Sequence, residues 1–277
     1  MTNTLCTDLT TEVFTSGGDN KEAALHLQKT DYLASVCTNE VTLRRVVSKE
    51  MGYEIFNGLR NIGLIYSDAK GEAICEIFPL QKSPCSNHIG ISTLAITKTG
   101  KIRLTKQSEK SAIYPRALAP SGSGSANWSD LRNTGGNFTR FLQKAMEREL
   151  IEELGLKHLR KPKIQTKVIG FARILNRGGK PEFFGVSFLD VPEEQGKVSN
   201  KERVFTEGFE EIIIPAAKEL WDTLSADRSQ IGAESKQEIC QAIDDFIATN
   251  QYRLSPSLYL NLRFFKEWIE SIGKERG

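Results

Sequence analysis

The sequence has little of what marks several protein classes. It contains five cysteines and three histidines in 277 residues, with no Cys-x-x-Cys pair, which argues against a disulfide framework and a structural zinc site. No stretch approaches the roughly 18 apolar residues of a membrane span. The first residues lack a basic segment followed by an apolar one, so we expect no signal peptide. These absences favour a cytoplasmic location with no membrane partner.

Charge of one sign is not in excess either. Lys and Arg number 37 and Asp and Glu 35, which leaves a formal net charge of +2. This balance gives the protein no overall electrostatic field that would attract nucleic acid or a membrane surface. An anionic ligand therefore has to be bound by groups close to it. The 39% hydrophobic and 26% charged residues are typical of a globular chain that can bury a core.

The order of elements predicts an α+β chain. Polar residues 1 to about 20 predict a loose leader, and residues 191–203 predict a charged loop. β-rich runs around glycine turns predict hairpins, and apolar residues at three- and four-residue spacing predict helices. In chain order these are hairpins at 63–80, 89–108 and 163–191, a small-residue loop at 118–128, a helix at 138–154, a short strand at 211–214 and a helical C-terminal segment that includes 257–269.

The helix at 138–154 has recognisable ends. Asn137 is suited to cap its first turn, and Gly155 stands where helices commonly end in a left-handed residue. In the C-terminal segment, Leu262, Phe265 and Ile269 form a stripe at helical spacing. Such a stripe indicates core packing more often than a partner surface.

The most informative residues of the chain are Arg148–Leu156, whose sequence is RELIEELGL. On a helix that advances about 100° per residue, Glu149, Glu152 and Glu153 fall within about 100° of arc. A divalent cation can bridge carboxylates this close, and hard oxygen ligands suit Mg²⁺ or Mn²⁺. Arg148 can orient one of them. The plain alternative is a solvated acidic helix face.

This string resembles the second half of the Nudix box, R-E-U-x-E-E-x-G-U, where U is a bulky aliphatic residue. The order of surrounding elements, strands before the helix and a hairpin after it, is similar to that family over about residues 88–215. The resemblance implies an α/β/α sandwich with a mixed sheet. It divides the chain into an N-terminal extension at 1–87, a Nudix core at 88–215 and a C-terminal helical segment at 216–277 that packs on the core.

The first half of the box departs from the family pattern, which would place a glycine at position 134 and a glutamate at 140. Thr134 and Arg140 stand there instead. The family's glycine loop could correspond to Gly135–Gly136 or to Ser121–Gly124, and we favour the second because it directly follows a strand region. The missing glutamate leaves the number of metal ions open.

The resemblance implies a Mg²⁺-dependent hydrolase, Mn²⁺ being possible, that cleaves the diphosphate of a nucleotide or nucleoside diphosphate derivative. It makes Glu149 and Glu153 metal ligands and Glu152 a ligand or the catalytic base, with Arg148 beside them. A later glutamate is another candidate base. The further candidates are Glu207, Glu210 and Glu211 for that base, Gly122, Gly124, Arg116 and Lys106 for phosphate contacts, and Phe183 of the Phe183–Phe184 pair for stacking on a base.

Two other functions stay open at this point. The altered box is compatible with a Nudix-fold sensor or regulatory module that binds a nucleotide with weak or no hydrolysis. The N-terminal extension and the C-terminal helices could form a dimerisation surface, so a homodimer is possible.

Overall fold

The computed structural model describes residues 4–9, 25–61, 66–67, 73–74, 80, 83–111, 114–159, 162–191, 206–216, 219–222 and 231–273. The described chain divides into two compact units. Unit 1 consists of Met1–Gly90, Ser125–Phe141 and Phe171–Glu182, and unit 2 consists of Ile91–Gly124, Leu142–Gly170 and Phe183–Gly277. The divisions expected after residues 87 and 215 stay predictions.

The described residues of the N-terminal part form three small antiparallel sheets, two short α-helices and a π-helical segment at Val36–Glu40. The first pair shows that Thr4–Leu9, inside the expected leader, is a strand. Residues 10–20 of that leader, the expected loop at 192–203 and most of the hairpin expected at 63–80 lie outside the described residues. The elements are β1 (Thr4–Leu9), β2 (Leu25–Thr30), α1 (Tyr32–Ser35), β3 (Arg45–Val47), β4 (Glu54–Asn57), α2 (Gly58–Asn61), β5 (Tyr66–Ser67) and β6 (Ala73–Ile74).

A seven-stranded sheet dominates the rest of the described chain. Its strand order is β11-β12-β7-β8-β13, with β10 paired to β7 and β9 paired to β8. The hairpins expected from β7 to β8 and from β11 to β12 are present. The strands are β7 (Gly90–Thr97), β8 (Lys101–Gln107), β9 (Leu118–Ala119), β10 (Gly122–Ser125), β11 (Lys163–Ile174), β12 (Lys180–Asp190) and β13 (Thr206–Ile213).

Three long helices accompany this sheet: α3 (Phe138–Glu153), α4 (Ala233–Asn250) and α5 (Pro256–Ser271). The ends of α3 are those expected from the sequence. The side chain of Asn137 accepts the backbone N–H of Arg140 at 2.8 Å, and Gly155 follows with φ +65°. Ser255 caps α5 in the same manner, accepting the N–H of Leu258 at 3.2 Å.

In unit 2, successive residues of a strand belong to two different apolar cores, one on each face of the sheet. Ala95 packs with Leu150 and Leu154 of α3, whereas its neighbours Leu94 and Ile96 pack with residues of α4 and α5. Because successive strand side chains point to opposite faces, the sheet lies between α3 on one face and α4 with α5 on the other. This confirms the expected α+β class with helices on both faces of a mixed sheet.

The C-terminal stripe is core, as expected: Leu262, Phe265 and Ile269 are fully buried. The expected strand at 211–214 is longer, beginning at Thr206, because its backbone pairs along the whole of β8 with one irregularity near Gly208. The loop expected at 118–128 contains the short strands β9 and β10. Their backbone groups hydrogen-bond to β8 and β7, respectively. None of the helices in the described ranges combines the length and apolarity needed to span a bilayer.

Candidate active site

Helix α3 presents two carboxylates to β10, which we call the glycine strand (Gly122–Ser125). Glu149 and Glu153 are four residues apart, so they lie on the same side of the helix in successive turns. The carboxylate of Glu153 accepts the backbone N–H of Ser123 at 3.1 Å and its hydroxyl at 3.4 Å. The hydroxyl of Thr105 on β8 donates to the other oxygen of Glu153 at 3.5 Å. The site therefore combines one helix and two strands of unit 2.

The two glycines of this strand allow it to approach α3 closely. A Cβ atom added to Gly124 would lie 2.4 Å from Cδ and Oε1 of Glu149. A Cβ atom added to Gly122 would lie 2.9 Å from the backbone N and Cα of Leu150. Both distances are shorter than real Cβ contacts, so any other residue would force one of the partners to move. The structure thus places Gly122 and Gly124 beside the Glu149 turn of α3.

The third carboxylate, Glu152, is surrounded by cations. Nζ of Lys157 lies 2.9 Å from Oε1 of Glu152, and Nη1 of Arg148 lies 3.7 Å from Oε2. The same Arg148 nitrogen donates to Oε1 of Glu149 at 2.7 Å. Arg148 therefore contacts two of the three glutamates, and Lys157 contacts Glu152. A role of Arg148 in catalysis stays a prediction.

The donor chemistry of this site fits a hard divalent cation. Its carboxylate oxygens are the ligands that Mg²⁺ and Mn²⁺ prefer, and Glu149 and Glu153 lie on successive turns of the same side of α3. Within the described residues, however, no three His, Cys, Asp or Glu side chains already stand as one metal-binding set. Glu149 and Glu153 converge on the glycine strand, while Glu152 lies among cations. The role of all three as metal ligands stays a prediction.

The later glutamates on β13 divide between the faces of the sheet. Glu211 is paired in register with Arg103, and Glu210 with Leu104. Leu104 belongs to the core against α4 and α5, so Glu210 points to that face, where it forms an ion pair with Arg253 at 2.6 Å. Glu211 points to the face that α3 covers.

Glu207, the remaining candidate base, lies at the irregularity of β13 and forms an ion pair with Lys106 at 3.4 Å. Lys106 was expected to meet phosphate, and its contact with Glu207 is the one that the structure shows for it. Of the three later glutamates, Glu211 is therefore the one that the register places on the side of the carboxylates of α3.

The remaining candidates lie in other surroundings. Arg116 is exposed, has φ +63° and forms an ion pair with Glu109. The rings of Phe183 and Phe184 point to opposite faces of β12, and both are buried. Phe184 packs on Phe264 of α5 at a centroid distance of 5.1 Å. Contacts of Arg116 with phosphate and of Phe183 with a base stay predictions.

Three residues described at this site, Thr105, Lys157 and Arg103, were not identified from the sequence. Arg103 on β8 lies two positions before Thr105, so both side chains point to the face covered by α3. Its guanidinium contacts Oε1 of Glu211 at 3.3 Å and lies 5.7 Å above the ring of Phe209. The only signal in the sequence is the Arg-x-Thr spacing within the β8 run, which carries no information about the strand that pairs with it.

Unit 1 contains a separate group of buried charges. Lys180 is 2% exposed and its ammonium lies 3.6 Å from the carboxylate of Glu182. Burial, opposed by Glu182, lowers the pKa of Lys180 to about 8. Burial, reinforced by the nearby charges of Lys180 and Arg177, lowers the pKa of His88 to about 2. His88 is thus neutral at physiological pH.

Comparisons with known proteins give a limited result. No protein-family model matches the chain, and no curated protein does. Among solved structures, the chain is similar to the MutT protein from Methanosarcina mazei Go1, with 14% identity and a TM-score of 0.38 over 67% of this chain and 95% of that one. It is also similar to DR0079 from Deinococcus radiodurans, with 15% identity and a TM-score of 0.30 over 63% and 95%.

Proposed function

We propose that this chain is a Mg²⁺-dependent pyrophosphohydrolase of the Nudix type, which cleaves the diphosphate of a nucleotide or nucleoside diphosphate derivative. The observation that carries the proposal is the placement of Glu149 and Glu153 of the RELIEELGL segment against the glycine strand. Ser123 donates to Glu153, and the bare α-carbon of Gly124 faces Glu149. The second contact gives a steric reason for glycine at position 124.

The residues that would hold the metal ion are Glu149 and Glu153, with Glu152 joining when its contact with Lys157 is released. A bound Mg²⁺ or Mn²⁺ would offset the negative charge of the diphosphate and stabilise the charge that develops on the leaving oxygen. The acidic face of α3 would repel a diphosphate without this neutralisation. The chain's near-neutral net charge is compatible with such local binding.

The chain's own residues supply the remaining functions. Arg148 holds the carboxylate of Glu149 through its 2.7 Å contact, which keeps this ligand in one orientation. Glu152 is the candidate base: one of its oxygens would accept a proton as water attacks phosphorus. The bond between phosphorus and the bridging oxygen breaks, and the two products each carry a phosphate group. Glu211 is the alternative base, because it lies on the same face of the sheet.

Hydrolysis of a metabolite panel tests this proposal. The protein is incubated with nucleoside triphosphates, dinucleotides and nucleotide sugars in the presence of Mg²⁺, and products are measured for the parent chain and for Glu152→Gln and Glu153→Gln. We expect losses on the order of 10²-fold or more, the usual contribution of a positioned base or metal ligand. Glu147→Gln is the matched control, because its side chain leaves the same helix about 200° away from Glu149. Equal turnover in all four proteins would refute the assigned roles.

A nucleotide-binding sensor without efficient hydrolysis is the second candidate. It is favoured by the contact of Glu152 with Lys157 at 2.9 Å and by the exposed Arg140 at the position where the family pattern has glutamate. Isothermal titration with the same panel distinguishes the two. Tight nucleotide binding with no product over hours supports the sensor, whereas turnover that depends on Glu153 excludes it.

A further inference from the structure

The guanidinium of Arg103 is largely buried, and the groups around it stabilise a positive charge. Its side chain is 13% exposed, between the carboxylate of Glu211 and the ring of Phe209 on the neighbouring strand. A guanidinium is costly to bury unless it is paired, and it stacks well on aromatic faces. Both partners come from β13, so the pairing of β13 with β8 creates this position.

The side chain of Arg103 points to the face of the sheet that carries the α3 carboxylates. Its neighbours Ile102 and Leu104 are in the core against α4 and α5, so Arg103 points the opposite way. Its partner in register on β7 is Ala95, which packs on α3. Thr105, the next residue on this face, contacts Glu153. Arg103 is therefore the neighbour, on this face of β8, of the residue that contacts the proposed metal ligand Glu153.

The backbone of Arg103 is fastened to the segment that begins the glycine strand. The hydroxyl of Ser121 donates to the carbonyl oxygen of Arg103 and accepts the backbone N–H of Ala95 at 2.7 Å. Ser121 is fully buried and immediately precedes Gly122. One hydroxyl thus fixes β8 and β7 relative to the strand that faces Glu149 and Glu153.

Glu211 can release Arg103 without becoming an uncompensated charge. Its other oxygen lies 3.3 Å from Nζ of Lys101, so a cation remains beside Glu211 when the guanidinium turns to another anion. The contact between Arg103 and Glu211 is itself 3.3 Å long, longer than the usual charge-assisted hydrogen bond. A phosphate group, which matches the planar fork of a guanidinium, is a competent replacement.

We propose that Arg103 binds a phosphate group of the substrate beside the proposed metal ligands, and that Glu211 holds Arg103 in place when the site is empty and competes with the phosphate for it. This inference rests on the proposed function. It gives the site a cation that contacts the substrate directly, on the sheet side, opposite the carboxylates of the helix. Arg103 is then a substrate-binding residue, and Glu211 is the carboxylate that pairs with it until phosphate binds.

The inference is tested with inorganic phosphate as the probe, by isothermal titration of the full chain in the presence of Mg²⁺. Arg103→Met is expected to weaken phosphate binding about tenfold or more, because charge-assisted hydrogen bonds between a guanidinium and a phosphate are among the strong ones. Arg103→Lys should recover part of this loss. Glu211→Gln should tighten binding a few-fold by removing the competing carboxylate. Thermal melting of each variant verifies that it is folded.

Arg253→Met is the matched control, because Arg253 pairs with Glu210 of the same strand on the opposite face. It removes an identical charge and a comparable ion pair, and we expect phosphate binding to stay unchanged. If Arg103 were only structural, loss of Glu211 would harm binding as much as loss of Arg103. Equal weakening by Arg103→Met and Glu211→Gln, or no difference between Arg103→Met and Arg253→Met, overturns the inference.

The proposed function can fail separately. A chain that binds phosphate through Arg103 but hydrolyses no member of the metabolite panel supports the inference and refutes the hydrolase. A chain that hydrolyses a nucleotide with the same KM in the parent and in Arg103→Met refutes the inference and leaves the hydrolase intact.

Discussion

The two glycines of β10 meet different parts of helix α3, and this difference makes opposite predictions for their replacement by alanine. In Gly122→Ala, the new Cβ would lie 2.9 Å from the backbone N and Cα of Leu150. The helix backbone cannot rotate away, so α3 or β10 has to shift as a body. We expect a loss of about 1–3 kcal/mol in the free energy of unfolding, the usual cost of overpacking.

In Gly124→Ala, the new Cβ would meet the far end of a flexible side chain. The carboxylate of Glu149 lies 2.4 Å from the Cβ position, whereas ordinary contacts begin at 3.4 Å, so the carboxylate has to move by about 1 Å. Rotation of the side chain accomplishes this, and we expect a stability cost below about 1 kcal/mol. A displacement of about 1 Å of a catalytic group can nevertheless reduce the rate on the order of 10²-fold.

Urea denaturation and a Mn²⁺ titration followed by electron paramagnetic resonance measure the two effects independently. Gly208→Ala is the control, because a Cβ there meets nothing within 4 Å. We expect Gly122→Ala to lose stability, Gly124→Ala to lose Mn²⁺ affinity at nearly unchanged stability, and Gly208→Ala to lose neither. If Gly122→Ala unfolds at the same urea concentration as Gly208→Ala, the close approach of β10 to α3 is refuted. If Gly124→Ala binds Mn²⁺ like the parent chain, the role of Glu149 as a metal ligand is refuted.

Three further predictions concern single charged groups. Lys157→Met frees Glu152 from its 2.9 Å ion pair. The same titration should then show a Mn²⁺ affinity that is tighter by a few-fold at most, because the pair is partly exposed. A weaker Mn²⁺ affinity would contradict this prediction. For Lys180, the folded pKa of about 8 lies below the ordinary 10.5. The unfolded chain therefore binds more protons between these values, and stability should rise with pH there in the parent but not in Lys180→Met. For His88, the folded pKa is lowered from 6.5 to about 2, so stability should fall as the pH drops below 6.5, and it should fall less in His88→Gln. Denaturation midpoints measured at a series of pH values test the predictions for Lys180 and His88.

Local signals predicted the helix and its ends because the interactions involved are local. The Asn137 cap acts on a backbone amide three residues away, and Gly155 relieves strain at its own φ of +65°. The hairpins β7–β8 and β11–β12 were likewise predictable from β-rich runs around glycine turns. The short strands β9 and β10 were not, because their sequence of small residues carries no apolar alternation. Their backbone groups bond to β8 and β7, which is a tertiary requirement.

The glutamates of β13 show that candidate site residues, too, could not be chosen from the sequence alone. The sequence names three glutamates in one short stretch and offers no reason to choose among them. The choice follows from register: pairing with Leu104 directs Glu210 to one face, and pairing with Arg103 directs Glu211 to the other. Arg103 itself was missed because its significance comes from Glu211 and Phe209, which are more than 100 residues away along the chain.

The carboxylates of α3 illustrate why a correct helix still leaves the site incomplete. At about 100° per residue, Glu153 lies about 40° from Glu149 and Glu152 about 60° to the other side, so helical geometry alone treats the three as one cluster. The glycine strand contacts Glu149 and Glu153, and Lys157, beyond the end of the helix, takes Glu152. Arg148 contacts Glu149 at 2.7 Å, so two of the three carboxylates are paired with a cation in the structure. If Glu152 acts as the proposed ligand or base, Lys157 would have to release it, so a substitution at Lys157 would change the affinity of the proposed site without altering the RELIEELGL segment.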